Sequence, residues 1–259
     1  MRDKFKTVDY FNRQIVSIQE SIERVFHWIE IGKTPKDKIN SMKQYIVQNY
    51  IQLMSCKYSV GLNPTELYSD LINAINTTYE SWDGFWKLYY KGRYLNQLVL
   101  DAYDQMLWML SLGYLLNISN AEFQKLVDVI DKYQVRDFLF EFIIRAKIKD
   151  RQAITEESYE YGWILFSKLR QAIIETDKIE AESLVKEFVT KDWYKEHKQT
   201  GWYNNHKKPF DSYFGYWSFE TAAVVKIMGL DDSSFRDCQY YPKDLVIPLL
   251  AVASFAPSC

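Results

Sequence analysis

Residues 11–29, F-N-R-Q-I-V-S-I-Q-E-S-I-E-R-V-F-H-W-I, decide the fold class. Apolar residues recur in this stretch at steps of four and three, the spacing that places side chains on one face of an α-helix. These positions are Phe11, Ile15, Ile18, Ile22, Val25 and Ile29. The stretch therefore predicts an amphipathic helix that ends at Gly32.

Helix-starting signals recur further along the chain. Each combines a capping side chain with a proline at the first helical position or a glutamate three residues later. The signals are Thr34-Pro35, Asn63-Pro64 with Glu66, Ser119 with Glu122, and Asp177 with Glu180. We predict an irregular aromatic connection over 81–92. Further helices are predicted near 93–117, 137–148, 156–175, 177–190 and 217–228.

The composition supports long helices and few turns. Only 9 glycines and 6 prolines occur among 259 residues, and 47% of the residues are hydrophobic. We therefore predict an all-α fold of two packed helical domains. The polar segment 149–156 suggests the boundary, which gives an N-terminal domain over 1–148 and a C-terminal domain over 152–246. The uncharged tail 247–259 has no role that its sequence indicates.

Charge and cysteine content narrow the class of partner. The chain carries 32 basic and 34 acidic side chains, a net charge of −2, which argues against a general nucleic-acid binder. Three scattered cysteines indicate reduced thiols. No apolar stretch follows the charged start, and the uncharged run 105–121 contains too many polar residues for a membrane span. We expect a cytoplasmic protein without a membrane partner.

Chemical motifs are sparse. The sequence has no phosphate-binding glycine loop and no nucleophile motif, and His197 and His206 lack a third ligand at metal spacing. Two carboxylate pairs, Glu66 with Asp70 and Asp101 with Asp104, each share a predicted helix face. Such pairs suit acid–base chemistry, a solvated face or a surface for a basic partner. We expect no enzyme activity, no metal and no cofactor.

A basic aromatic segment provides an alternative function. Residues 191–208 contain five lysines among two tryptophans and two tyrosines. Rings beside cations are typical of a surface for single-stranded nucleic acid, so a nucleic-acid-binding helical module is the alternative. A packed aromatic loop with lysine stems lying across it explains the same residues.

Several blocks resemble a known family. The start, M-R-D-K-F-K-T-V-D-Y-F, is similar to the opening of the PoNi family, and G-Y-W-S-F-E-T-A-A-V-V-K-I at 215–227 resembles its C-terminal domain. So do L-D-D-S-S-F-R-D at 230–237 and Y-Y-P-K-D-L-V at 240–246. The resemblance implies an immunity protein whose partner is a cognate PoNe-type DNase toxin, delivered between competing bacteria by a secretion system. The matching residues, for which a structural role is favoured, are Gly215, Tyr216, Trp217, Phe219, Glu220, Tyr240, Tyr241, Pro242 and Asp244.

Two acidic regions are candidates for the toxin-binding surface, because a DNase presents a basic cleft. Region 58–86 contributes Glu66, Asp70, Glu80 and Asp83. Region 156–187 is preferred because it holds more carboxylates. Capping and the helix dipole account for several of them. Those left without an explanation are Glu175, Glu182 and Glu187.

Overall fold

Helices make up most of the chain, as the periodicity predicts. The computed structural model describes residues 1–83, 86–154, 156–161 and 164–246, so the predicted tail 247–259 lies outside the described residues. The elements are α1 (Val8–Glu30), α2 (Ile39–Val60), α3 (Tyr68–Ser81), β1 (Lys87–Tyr90), β2 (Arg93–Leu98), α4 (Leu100–Leu115), α5 (Asn120–Lys132), α6 (Phe138–Lys147), α7 (Ser167–Ile174), α8 (Lys178–Glu187), α9 (Trp193–Glu196) and α10 (Phe219–Met228).

Three of the four predicted caps, Asn63, Ser119 and Asp177, lie where helical turns begin, whereas the prediction that Thr34 caps a helix was wrong, because Pro35 directly precedes the turn and no side chain caps it. Ser119 accepts a hydrogen bond from the backbone N–H of Glu122 and opens α5, and Asp177 caps α8 in the same way. The Asn63–Glu66 capping box is also present, although it opens a short 3-10 turn ahead of α3. Pro35 likewise precedes a 3-10 turn, so α2 begins at Ile39.

A β-hairpin replaces the helix start that we predict at residue 93. β1 and β2 pair antiparallel, with Tyr89 opposite Tyr94 and Tyr90 opposite Arg93. Lys91 and Gly92 connect them, and both have positive φ, which is the requirement of a two-residue type I′ turn. Tyrosine favours strands, and α4 starts only after the hairpin. The prediction of a helix over residues 93–99 was wrong.

The second departure precedes α7. A helix was predicted over 156–175, but α7 covers only Ser167–Ile174, and Phe166 before it has a left-handed backbone. The described part of 156–166 is held by long-range contacts instead: Glu157 pairs with Arg170, and the Phe166 N–H donates to Glu196. These contacts outweigh the local helical pattern.

The two helical halves pack through a shared core. α1 packs on α2 and α2 on α3, while α4 contacts α3, α5, α6 and α10. Nearly every side chain of α4 is buried, as expected for a helix that is apolar all round. One continuous cluster of buried side chains extends from α1 through α4 to α10. None of the described helices is both long and apolar enough to cross a bilayer.

Candidate functional site

Trp217 lies where the C-terminal segment meets the end of α2. Only 5% of its surface is exposed, and its ring packs edge-on against Tyr58 with 4.8 Å between centroids. Its indole N–H donates to Ser59 Oγ at 2.8 Å. Gly215 makes this approach possible, because a Cβ there would lie 2.1 Å from Ser59 Oγ and its φ is +102°. Trp217 therefore packs against the N-terminal half of the chain.

Glu220 is a fully buried carboxylate on α10. It accepts hydrogen bonds from Trp193 Nε1 at 2.5 Å, from Trp108 Nε1 at 3.2 Å and from Ser218 Oγ at 2.6 Å. Burial raises the pKa of Glu220 to about 7, since removal from water disfavours the charged form. Trp108 belongs to α4, so this carboxylate links both halves of the chain.

His197 and Asp104 form a second buried pair between the halves. The Trp193 carbonyl, 2.6 Å from His197 Nδ1, can only accept, so Nδ1 carries a proton. His197 Nε2 lies 3.4 Å from Asp104 Oδ1, and both side chains are buried. Burial alone would lower the pKa of His197, but the carboxylate of Asp104 outweighs burial and raises it. We refer to Trp217, Glu220, His197 and Asp104 together as the buried junction.

The remaining family-like residues also hold the chain together. Tyr216, Phe219, Tyr241 and Pro242 are buried. The others are partly exposed but engaged: Tyr240 stacks on Tyr194, and Asp244 pairs with Arg2 at 2.5 Å. A packing role accounts for these contacts.

The aromatic rings of the basic segment 191–208 pack against one another. Trp193 is fully buried, Trp202 is 9% exposed, and the two rings stack with 5.9 Å between centroids. Tyr194 packs against Tyr203. Neither tryptophan offers a face on which a base could stack, so the nucleic-acid alternative loses its main support.

The carboxylates of the first acidic region are engaged within the chain. Asp70 is buried and pairs with Lys57 at 2.6 Å, and Glu80 pairs with Lys43 at 2.8 Å. Glu66 accepts the N–H of Asn63 in the capping box, and Asp83 is half-buried. Asp70 and Glu80 are therefore neutralised by ion pairs, whereas Glu66 meets only a backbone N–H.

The two carboxylate pairs that would suit acid–base chemistry take part in separate structural contacts. Asp104 is buried beside His197, Asp101 accepts from the Gly201 N–H at 3.4 Å, and Glu66 and Asp70 serve a cap and an ion pair. Among the described residues, no group of three or more His, Cys, Asp or Glu side chains is placed to hold a metal ion.

The second acidic region contains a different kind of surface. Glu187 is paired with Lys168 and Lys191, which lower its pKa. From the described part of the chain, Glu175 and Glu182 accept hydrogen bonds only from backbone N–H groups. Around them the structure adds residues that the sequence prediction missed. We refer to the whole set as the α7–α8 surface: Ile174, Glu175, Asp177, Ile179, Glu180, Glu182 and Asp231.

A signal for this surface was present in the sequence. Ile174 and Ile179 flank the polar turn between α7 and α8. Neither residue has the helical spacing of the buried apolar residues of its own helix. Asp231 is distant in sequence, and its backbone N–H meets Glu182 at 2.8 Å only in the folded chain.

Two family models cover almost the whole chain. The model for the N-terminal part of PoNe immunity proteins matches residues 2–128, and the model for their C-terminal part matches residues 135–245. The chain belongs to the PoNi family of immunity proteins. No curated protein matches it significantly.

A solved structure has the same fold as this PoNi chain. It is the crystal structure of protein PA2201 from Pseudomonas aeruginosa, with a TM-score of 0.65 and 18% sequence identity. The match covers 95% of the PoNi chain and 89% of the other chain. At this identity the likeness concerns the fold alone.

An immunity protein binds a protein toxin, so it requires a stable scaffold and an exposed recognition surface. In this PoNi chain the buried junction is closed to a partner, whereas the α7–α8 surface is open to one.

Proposed function

We propose that this chain is a cytoplasmic immunity protein that neutralises a DNase toxin, delivered by the secretion system of a competing bacterium, by forming a stoichiometric complex with it. The match to both PoNi family models, from residue 2 to residue 245, is the observation that supports this function. The chain acts as an inhibitor and not as an enzyme.

The distribution of charge supports a nuclease as the partner. A DNase binds phosphates through a cationic cleft, and an acidic surface on the inhibitor accelerates association with such a cleft. The whole chain has a net charge of only −2, so the attraction must come from local carboxylates. The α7–α8 surface supplies carboxylates of this kind.

Inhibition by binding and inactivation by catalysis give different titrations. The nuclease domain of a cognate PoNe-type toxin would be mixed with increasing amounts of this chain, and cleavage of supercoiled plasmid would be measured. We expect cleavage to fall in proportion to the added chain and to vanish near one equivalent, whatever the incubation time. Progressive loss of nuclease activity at substoichiometric amounts would indicate an enzyme, and undiminished cleavage at excess chain would contradict the proposal.

Co-expression provides the cellular counterpart. Cells that produce the toxin together with this chain should keep intact DNA and normal growth. Protection against distant toxins of the same family should be weak, because specificity depends on surface complementarity and not on the shared fold. Killing that continues while both proteins are soluble and expressed would contradict a role in immunity.

A further inference from the structure

Two isoleucines at the turn between α7 and α8 are strongly exposed. Ile174, the last residue of α7, is 69% exposed, and Ile179, in the first turn of α8, is 79% exposed. Large apolar side chains that stay in water contribute nothing to the core. When they are grouped and surrounded by polar residues, they are typical of a protein interface.

Carboxylates that lack a counter-charge surround these isoleucines. Within the described residues, none of the five carboxylates of the α7–α8 surface forms an ion pair. Lys178 is the one basic residue between positions 174 and 182. The surface is therefore apolar at two points and strongly negative around them.

Hydrogen bonds within the turn stabilise its conformation in the unbound chain. Glu175 accepts the N–H groups of Thr176 and Asp177 at 2.7 and 2.9 Å, and Asp177 caps α8 through the N–H of Ile179 at 2.8 Å. Glu182, on α8, also accepts a hydrogen bond from the backbone N–H of Asp231. A preorganised surface loses less conformational entropy on binding, which favours tight complexes.

We propose that the α7–α8 surface is the toxin-docking surface, with Ile174 and Ile179 as its apolar anchors and the surrounding carboxylates facing the cationic nucleic-acid-binding cleft of the nuclease. This inference rests on the proposed function. Charge complementarity determines the occupant: the anchors lie among uncompensated negative charges, so the matching surface is positively charged with small apolar recesses.

Another exposed apolar area of the chain lacks the excess of carboxylates. On the hairpin, Tyr89 and Tyr94 are 61% and 55% exposed, Arg93 is paired with Glu160, and Lys91 lies over the ring of Tyr90. Lys91 would repel a basic cleft. The hairpin therefore does not fit the same partner.

Replacement of both anchors tests the docking surface. The variant Ile174→Arg/Ile179→Arg should bind the nuclease at least about 30-fold more weakly, because hot-spot residues contribute about 2 kcal/mol or more and the added cations repel the cleft. The matched control is Val16→Arg/Ile31→Arg, which makes the same change at two exposed apolar residues of the α1 region. Ile174→Ala/Ile179→Ala removes the apolar contact without adding charge and should weaken binding by a smaller factor. Binding would be measured by calorimetry, and folding by circular dichroism.

Each outcome decides a separate question. Weakened binding by the anchor variant together with wild-type binding by the control supports the docking surface. Wild-type binding by the anchor variant overturns the docking surface and leaves the immunity function intact, and so does an equal loss in both variants. If the wild-type chain itself neither binds nor inhibits the nuclease, the proposed function fails, and the docking surface fails with it.

Discussion

The buried junction and the α7–α8 surface use carboxylates in opposite ways. At the buried junction, Glu220 and Asp104 are removed from water and face indole N–H groups and an imidazole. At the α7–α8 surface, Glu180 is exposed, Glu175 and Glu182 are half-buried, and none of the three forms an ion pair within the part of the chain that the structure describes. Burial and neighbouring groups, more than residue type, therefore determine whether a carboxylate stabilises the fold or can attract a partner.

The largest effect is expected for Trp217, because its replacement should affect the stability of the fold and not the binding surface. Trp217→Ala should destabilise the chain by about 3–5 kcal/mol, since a large aromatic side chain is removed from the core and Ser59 loses its hydrogen bond. Trp28→Ala, at a half-buried tryptophan of α1, should cost less. Thermal melting measures both. A Trp217→Ala variant that melts like wild type but no longer binds toxin would make Trp217 an interface residue.

The second effect is a pH dependence that originates at the buried junction. The folded pKa of Glu220, about 7, exceeds its ordinary value of 4.5, so the folded state holds the proton more tightly. Stability should therefore fall by up to about 3 kcal/mol as the pH rises from about 4.5 to above 7. The raised pKa of His197, which lies near Glu220 and Asp104, acts in the same direction above pH 6.5, because its charged form is favoured by folding.

Glu220→Gln isolates this contribution. Glutamine keeps a neutral hydrogen-bonding group beside Trp108 and Trp193 but does not ionise. Melting of both proteins between pH 5 and pH 8 should show a shallower decline for the variant. If the melting temperatures of both proteins changed equally with pH, Glu220 would not titrate in this range. The pH dependence would then not originate at Glu220.

The smallest effect concerns charge at the α7–α8 surface. The variant Glu175→Gln/Glu180→Gln/Glu182→Gln keeps the hydrogen-bond acceptors but removes three charges. Its association with the toxin should be about tenfold slower at low salt, and the difference should shrink at 1 M salt, where the Debye length is about 3 Å. Stability should change by less than about 0.5 kcal/mol per site.

A triple variant on α1 provides the matched control for this experiment. Glu20→Gln/Glu23→Gln/Glu30→Gln changes the net charge equally at three exposed positions. Surface plasmon resonance at two salt concentrations should show a smaller effect for this control. Equal slowing by both triple variants would assign the attraction to net charge and not to the α7–α8 surface.

Local signals in the sequence predict much of the fold. Ser119 and Asp177 cap helices where expected, because a cap depends on residues only three positions away. The hairpin was missed because Leu95, Leu98 and Ala102 have a helical spacing that continues from β2 into α4. The turn signal is the pair Lys91-Gly92, in which a non-glycine residue adopts positive φ.

The contacts of the site depend on long-range geometry, which periodicity does not reveal. Asp104 meets His197 across 93 positions of sequence, and Trp108 meets Glu220 across 112. The sequence shows that 156–187 is acidic. It does not show that Glu187 is paired with Lys168 and Lys191, while Glu180 forms no ion pair with any residue that the structure describes. Exposure of Ile174 and Ile179 likewise follows from how α7 and α8 pack on the core.

Hydrogen exchange of the chain with and without the toxin's nuclease domain would locate the toxin-docking surface. We predict that the backbone amides of 174–182 and of Asp231 exchange more slowly in the complex, while those of the hairpin 87–98 are unchanged. Protection confined to the hairpin or to α3, with unchanged exchange at the turn between α7 and α8, would contradict this prediction.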